Sequence, residues 1–438
     1  MANFIPVSAI EERHDRIRRH LKERSLKALL ITNPDNFYYA SGFFLDVAPW
    51  ERPVAAVIPA RGEPFMVMNS LSTNHLRMSR ERGTLAIEKV HIYSEHPRVT
   101  GRTWLVPQWS RMLIHCLEEA GIGRGTVAVD APSAPVREAV DSCPALEMVI
   151  DPIITHMRLV KDSHELDLIR RAGELTDFGQ RVFMQAVEPG RTMTDVDLEV
   201  ARAINAEAAR QHPRDRVETR CFSLSGPMSA APHGTGADVG AVIESGHGIV
   251  NIIIVRFNGY VCENERTWIV GMPSDEQARA HRAATRATRA ATGAMVEGEP
   301  LAECDARAQQ VFEEEGLAPH ILHRTGHGIG IAGHEEPADM AFNPRPLMAG
   351  EVLSAEPGIY IYGLGGFRHD DTVIVGPEGP ESRDFERYPR PVDRVRSRTA
   401  GSAGARQGST GSRSEVASRR RSRASRTAAQ RTESRSPG

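Results

Sequence analysis

The sequence predicts an α+β protein of two domains with a structureless tail, and three observations carry that prediction. At 438 residues the chain exceeds what one ordinary hydrophobic core organises. Strand-like and helix-like segments alternate up to about residue 155, the pattern of an α/β layer. Beyond that point, long amphipathic runs bracket two strands, which suits long helices packed on a bent, mostly antiparallel sheet. The expected units are residues 1–155, 156–380 and a tail at 391–438.

In the first unit, Glu11 to Arg24 has helical spacing, with Ile17, Leu21 and then Leu26 at the apolar positions. ALLITN (28–33) reads as a buried strand, and NPDNFYYASGF after it as turn residues with an aromatic cluster. VAAVIPA (54–60) and PFMVMN (64–69) read as strands around a turn at Arg61, Gly62 and Glu63. LVPQWSRMLIHCLEEAG predicts a helix ending near Gly121, and TVAVD (126–130) the next strand. In the second unit, Ser163 precedes an amphipathic run carrying Leu166, Leu168, Ile169, Ala172, Leu175 and Phe178, a long helix capped at its start. A second helix begins near Thr194, with Asp197 completing a capping box, and runs toward Gln211. IVNIIIVRF and GYVCENERTWIVG are strands, 275–296 and 301–315 helices, and His323 to Val375 alternates short strands with glycine turns.

Charge and composition exclude several function classes. The net charge of −3 hides an uneven spread. From Pro391 onward 12 arginines face Asp393, Glu415 and Glu433, so the body carries about −12. Nucleic acid is therefore a partner only through the tail, whose RRRSR would suit RNA, DNA or an acidic surface; a solvated tail without a partner is the plainer reading. The tail's Ser, Arg, Gly and Ala offer no apolar period, so it is expected to be disordered. No apolar run approaches the roughly 18 residues of a membrane span. The N-terminus lacks the basic head and apolar middle of a secretory signal, and five scattered cysteines form no CxxC pair. A cytoplasmic protein without a membrane partner is expected.

Chemistry concentrates in four stretches. SGPMSAAPHGTG places His233 in a loop of small residues. GYVCENERT puts Glu263 and Glu265 on one face of a strand, where two like charges need a metal, a proton or a cationic ligand, while Arg266 points to the other face. HRTGHGIGIAGHEEP carries His323, His327 and His334 among glycines that allow close backbone approach. LSAEPGIYIYG and GGFRHDDTVIV carry Glu356, Arg368, His369, Asp370 and Asp371. A lone loop histidine is more often solvated, and a Glu before Pro is more often on the surface. The order and spacing of all four together point to a site.

Those motifs identify a resemblance. RHDRIRRHLKERSLKALLITNPDNFYYASGF, MRLVKDSHELDLIRRAGELTD, TGHGIGIAGHEEP and LSAEPGIYIYGLGGFRHDDTVIV resemble the pita-bread family of methionine aminopeptidases, prolidases, aminopeptidase P and creatinase, over about residues 11 to 378. The resemblance implies a creatinase-type N-terminal α/β domain, a pita-bread α/β catalytic domain and a homodimer. Peptidases of this family hold two divalent metals with two aspartates, a histidine and two glutamates. Carried onto this chain, the histidine is His327 and one glutamate is Glu356; Glu263 stands for the second aspartate and Asp370 for the last glutamate. The first aspartate falls on Ile252, which ligates nothing. The expectation is at most one divalent metal (Mn, Fe or Co) on Glu263, His327, Glu356 and Asp370, not a dinuclear centre.

Creatinase, which has the fold without a metal, offers a second alignment in which ENERT matches ALERT. Glu265 and Glu356 would then hold a cationic substrate head, with Arg368 beside them and His233 moving the proton. In the peptidase version Glu356 moves the proton, and His233 and His334 stabilise the tetrahedral intermediate. The expected function is hydrolysis of a small C–N bond in a short peptide or small molecule, Xaa-Pro peptidase-like or creatinase-like. The alternatives are a lyase of the dimethylsulfoniopropionate-cleaving type and a non-catalytic binding module.

Overall fold

In the computed structural model, the described residues are 3–96, 98, 101, 103–233 and 241–382. The Arg/Ser-rich segment 391–438, expected to be disordered, lies outside them.

The first part is built on a six-stranded sheet. Its strands are β1 (Ala28–Ile31), β2 (Ala55–Pro59), β3 (Phe65–Asn69), β4 (Lys89–Tyr93), β5 (Gly125–Val129) and β6 (Leu146–Ile150), ordered β4-β3-β2-β1-β5-β6. β1, β2 and β3 are buried along their whole length, which their continuous apolar runs require. The helix Val7–Glu23 buries Ile10, Ile17 and Leu21. The segment read as turn residues after β1 is a helix, Pro34–Ser41. The Asn33 side chain accepts from the backbone N–H of Asp35 and Asn36, and Pro34 supplies a pre-set first helical residue. Buried Phe37, Tyr38 and Tyr39 add tertiary packing that the local turn signal could not show. Tyr38 also donates to the Asn258 carbonyl at 2.7 Å, tying this helix to the sheet that bears the site.

The second part is a five-stranded antiparallel sheet ordered β10-β13-β9-β8-β7. Its strands are β7 (Val217–Ser225), β8 (Gly248–Phe257), β9 (Tyr260–Ile269), β10 (Val352–Ala355) and β13 (Asp370–Ile374); β11 (Gly358–Ile361) and β12 (Gly365–Arg368) form a separate hairpin. The helices Ser163–Ala186 and Met193–Gln211 pack on this sheet. The cap of the first is Asp162, not Ser163, and Glu165 reaches back to complete a capping box. The second is capped by Thr192. Asp197 is no capping partner: its carboxylate takes the Ser223 backbone N–H at 2.9 Å and hydroxyl at 2.6 Å.

The two faces of the sheet differ, and the difference positions the site. On β8, Ile253, Val255 and Phe257 belong to the main core, and Gly179 of the helix Ser163–Ala186 approaches Ile253 closely. Val250 and Ile252 alternate to the opposite face and cluster with Leu224. The β8–β9 register pairs Ile252 with Glu265 and Ile254 with Glu263, and the β13–β9 register pairs Asp370 with Glu265. Phe222, Ile252, Glu265 and Asp370 therefore form one row across four strands, on the face away from the long helices.

Candidate functional site

Glu263 and Glu265 lie two residues apart on β9 and so share that face. Arg266 and Asp371 point the other way and pair with each other at 2.6 Å. Glu356 follows β10, and Arg368 ends β12 beside Asp370 at the start of β13. His327 sits in a glycine-flanked loop against β10. Gly326 has no room for a Cβ against the Ser354 carbonyl, nor Gly328 against that of Glu336, so only glycine lets this loop close.

His327 joins the acids. Its Nδ1–H donates to the Gly328 carbonyl at 3.0 Å, which turns Nε2 toward Glu356 at 3.2 Å and Glu263 at 3.5 Å. Arg368 Nε contacts a Glu265 carboxylate oxygen directly, and Nη1 lies 3.8 Å from Glu356. Nη1 also donates to the Tyr360 hydroxyl at 3.2 Å, and that hydroxyl meets His323 Nε2 at 2.7 Å. The His327 and His334 rings stack with centroids 3.6 Å apart.

Four carboxylates thus face one guanidinium and one imidazole. Glu263, Glu265 and Asp370 are 6%, 5% and 0% exposed. Burial, opposed by His327 and reinforced by Glu356 and Glu265, pushes Glu263 up to about 8. Burial likewise pushes Glu265 up to about 7, even with Arg368 on it. Asp370 is driven well above the usual carboxylate range by burial and then by Glu263, Glu265 and Glu356. Glu356 goes the other way: burial is outweighed by the His327 hydrogen bond and Arg368, which hold it at about 2. His327 is raised, because Glu356 and Glu263 outweigh its burial. The site resists full ionisation and calls for protons or added positive charge.

A metal was expected on Glu263, His327, Glu356 and Asp370. The oxygens that converge within 4.8 Å of one another belong to Glu265, Glu356 and Asp370, so Glu265 takes the place of Glu263 in that set. Both Asp370 oxygens and one Glu263 oxygen are buried without a hydrogen-bond partner. An all-oxygen set with spare lone pairs fits one hard divalent cation, with His327 alongside. A second cation would need a ligand where Ile252 stands, 1% exposed and apolar. The residues fit one hard divalent cation.

The other expected site residues lie around this cluster. His334 is at the surface, on a cavity of about 390 Å³ that His327 also lines. His233 is exposed, and its charge acts on both His323 and His334. Tyr360 and the clamp around Glu335 escaped the sequence reading. Arg158 contacts Glu335 directly and Lys161 reaches it at 3.0 Å. Arg158 lies 177 residues from Glu335, a spacing no local pattern reports. Tyr360 had one signal, an aromatic hydroxyl four residues after Glu356 in a glycine-rich strand.

Comparison with known proteins agrees with the fold. Residues 167–377 match the model of metallopeptidase family M24, and residues 13–160 match the creatinase/prolidase N-terminal domain. The probable dipeptidase PepE of Mycobacterium tuberculosis is 31% identical over 366 residues, 82% of this chain and 90% of that protein. The Xaa-Pro dipeptidase of Pyrococcus furiosus is 26% identical over 376 residues, covering 84% of this chain and 97% of its own. Among solved structures, dipeptidase PepE from Mycobacterium ulcerans superposes with a TM-score of 0.73 at 29% identity, covering 86% of this chain and 96% of its own.

Proposed function

Because this chain belongs to metallopeptidase family M24, a family of hydrolases, we propose that it hydrolyses the C–N bond of a small amide or amidine carrying a cationic nitrogen, Xaa-Pro dipeptides being the first class to try. The observation that carries this reading is the carboxylate group on β9, on β13 and just after β10, whose four acids, once all ionised, carry more negative charge than Arg368 and His327 neutralise. A substrate ammonium, amidinium or guanidinium would supply the missing charge.

In this mechanism Glu356, held ionised by His327 and Arg368, binds the cationic nitrogen and orients the attacking water. Glu265, poised near neutrality, takes the proton from that water and returns it to the departing nitrogen. His334, with His233 beside it, donates toward the oxygen or nitrogen that gains charge at the scissile carbon. A divalent cation on Glu265, Glu356 and Asp370, when bound, supplies Lewis-acid polarisation of the scissile bond.

Residues 1–155 serve as the N-terminal domain of this enzyme and 156–380 as its catalytic domain. The likeness to two-domain relatives supports a homodimer. Five unpaired cysteines support a cytoplasmic location. Among the described residues no helix is long and apolar enough to cross a membrane.

The test is a panel of Xaa-Pro dipeptides and guanidino or amidino acids, incubated with the full chain in EDTA or manganese, in water enriched in oxygen-18. The expected result is a split C–N bond with one labelled oxygen in the product. Product without label indicates a lyase, and no product from any compound indicates a binding module; either overturns the proposal.

A further inference from the structure

We propose that Glu335 is a positioning residue for His334, held from the N-terminal sheet through Asn36 and Arg158. This inference rests on the reading of the site given above and gives a part in it to residues outside the carboxylate cluster.

His334 depends on its backbone for its place. Its ring stacks on that of His327, and among the described residues its side chain makes no hydrogen bond. The turn that carries it is tight. The Glu335 N–H donates to the Gly328 carbonyl, and the Gly328 N–H to that of Pro337, both at 2.9 Å. The Glu335 carboxylate folds back under this turn, into space that a Cβ on Gly330 would fill, and accepts from the Ala332 N–H at 3.3 Å.

A carboxylate in that place needs compensation, because its side chain is only 8% exposed. Arg158 Nη2 contacts one of its oxygens, and Lys161 Nζ reaches the other at 3.0 Å. The two cations outweigh burial and hold Glu335 below the usual carboxylate range. Arg158 then continues the chain of contacts toward the sheet. Its Nη1 donates to Asn36 Oδ1 at 2.8 Å, and Asn36 Nδ2 donates to Asp130 Oδ2 at 3.0 Å. Asp130 follows β5 and takes the backbone N–H of Thr32 at 2.9 Å and of Asn33 at 3.2 Å, where β1 ends and the helix Pro34–Ser41 is capped. Every link is a directed hydrogen bond or ion pair, so the end of the N-terminal sheet and the turn at His334 are fixed to each other. Asn36, Arg158, Glu335, His334 and His327 line the same cavity, so the chain ends on the wall that presents both histidines. A shift of the turn moves His334 against His327, whose Nε2 lies on Glu356. A misplacement of about 1 Å in a reacting constellation costs about a hundredfold in rate.

The experiment uses the full chain as wild type, Asn36→Ala, Arg158→Met, Arg158→Lys and the double variant Arg158→Met with Glu335→Gln. Asn36→Ala is the decisive one, because it leaves both cations on Glu335 and removes only the tie to the sheet. For each, kcat and KM on an Xaa-Pro dipeptide are measured well below the melting temperature, together with amide hydrogen exchange over residues 326–336. Asn36→Ala and Arg158→Met are expected to lower kcat about tenfold or more with KM little changed, and to speed exchange in that turn. Arg158→Lys keeps part of the activity, and the double variant loses no more than Arg158→Met alone. If Arg158→Met does not fold, Asn36→Ala and Arg158→Lys carry the comparison. A lower melting temperature with unchanged kcat, or a loss confined to KM, makes the contacts structural only and overturns the proposal while the hydrolase reading stands. If wild type hydrolyses no compound, the hydrolase reading fails and hydrogen exchange decides alone: faster exchange confined to 326–336 in Asn36→Ala supports the positioning, and unchanged exchange there overturns it.

Discussion

Ile252 and Glu265 are cross-strand partners in the β8–β9 ladder, both buried, on the face that carries the site. An aliphatic side chain thus stands in the row of Glu265 and Asp370, at the position where the family resemblance led to the expectation of a further carboxylate, with Phe222 on its other side.

Placing a carboxylate there, as Ile252→Asp, is expected to raise manganese content from at most one ion per chain to two, read by mass spectrometry. In EDTA the same variant should be destabilised by about 3 kcal/mol or more, because it buries another uncompensated charge. An unchanged metal count would remove Ile252 as the cause of the incomplete site.

Glu263 and Glu265 bind protons more tightly in the folded than in the unfolded chain, at about 8 and about 7. The stability they contribute is full below the ordinary carboxylate range and is lost as pH rises through 7 and 8. Without metal, the melting temperature should therefore fall between pH 5 and 9. Manganese should flatten that fall, and Glu263→Gln should remove part of it. Thermal scans across pH in EDTA and in manganese check both.

Arg368 neutralises Glu265 inside a site with almost no solvent. Arg368→Met should cost about 3–5 kcal/mol by leaving that carboxylate buried and unpaired. The double variant Arg368→Met with Glu265→Gln should recover a substantial part of the loss. A urea-denaturation cycle measures the coupling, and strict additivity would mean that the pair is not an energetic unit.

Asp370 has two buried oxygens without hydrogen-bond partners and three carboxylates acting on it. Asp370→Asn should stabilise the metal-free protein by about 1–2 kcal/mol through relief of like-charge crowding. It should also lower both manganese affinity and turnover by about a hundredfold or more. Calorimetric titration with manganese and a melting curve separate the two effects.

The pattern of residues by itself determined the two-part α+β organisation, the strand that sets Glu263 and Glu265 on one face, and the opposite direction of Arg266. Those follow from alternation along a strand and from apolar periodicity, which are properties of neighbouring residues. That Ile252 stands at a ligand position is what the family resemblance implies, and no pattern of neighbouring residues shows it. Turn-like composition misread Pro34–Ser41, because buried aromatics and the Asn33 cap decide that helix. Only the tertiary structure decided that Glu265, Glu356 and Asp370 are the oxygens that converge, that Arg368 lies on Glu265, and that Arg158 and Lys161 close on Glu335. These relationships join residues up to 177 positions apart. They depend on which strands become neighbours and in what register, and that is set by the packing of the whole sheet, not by local preference.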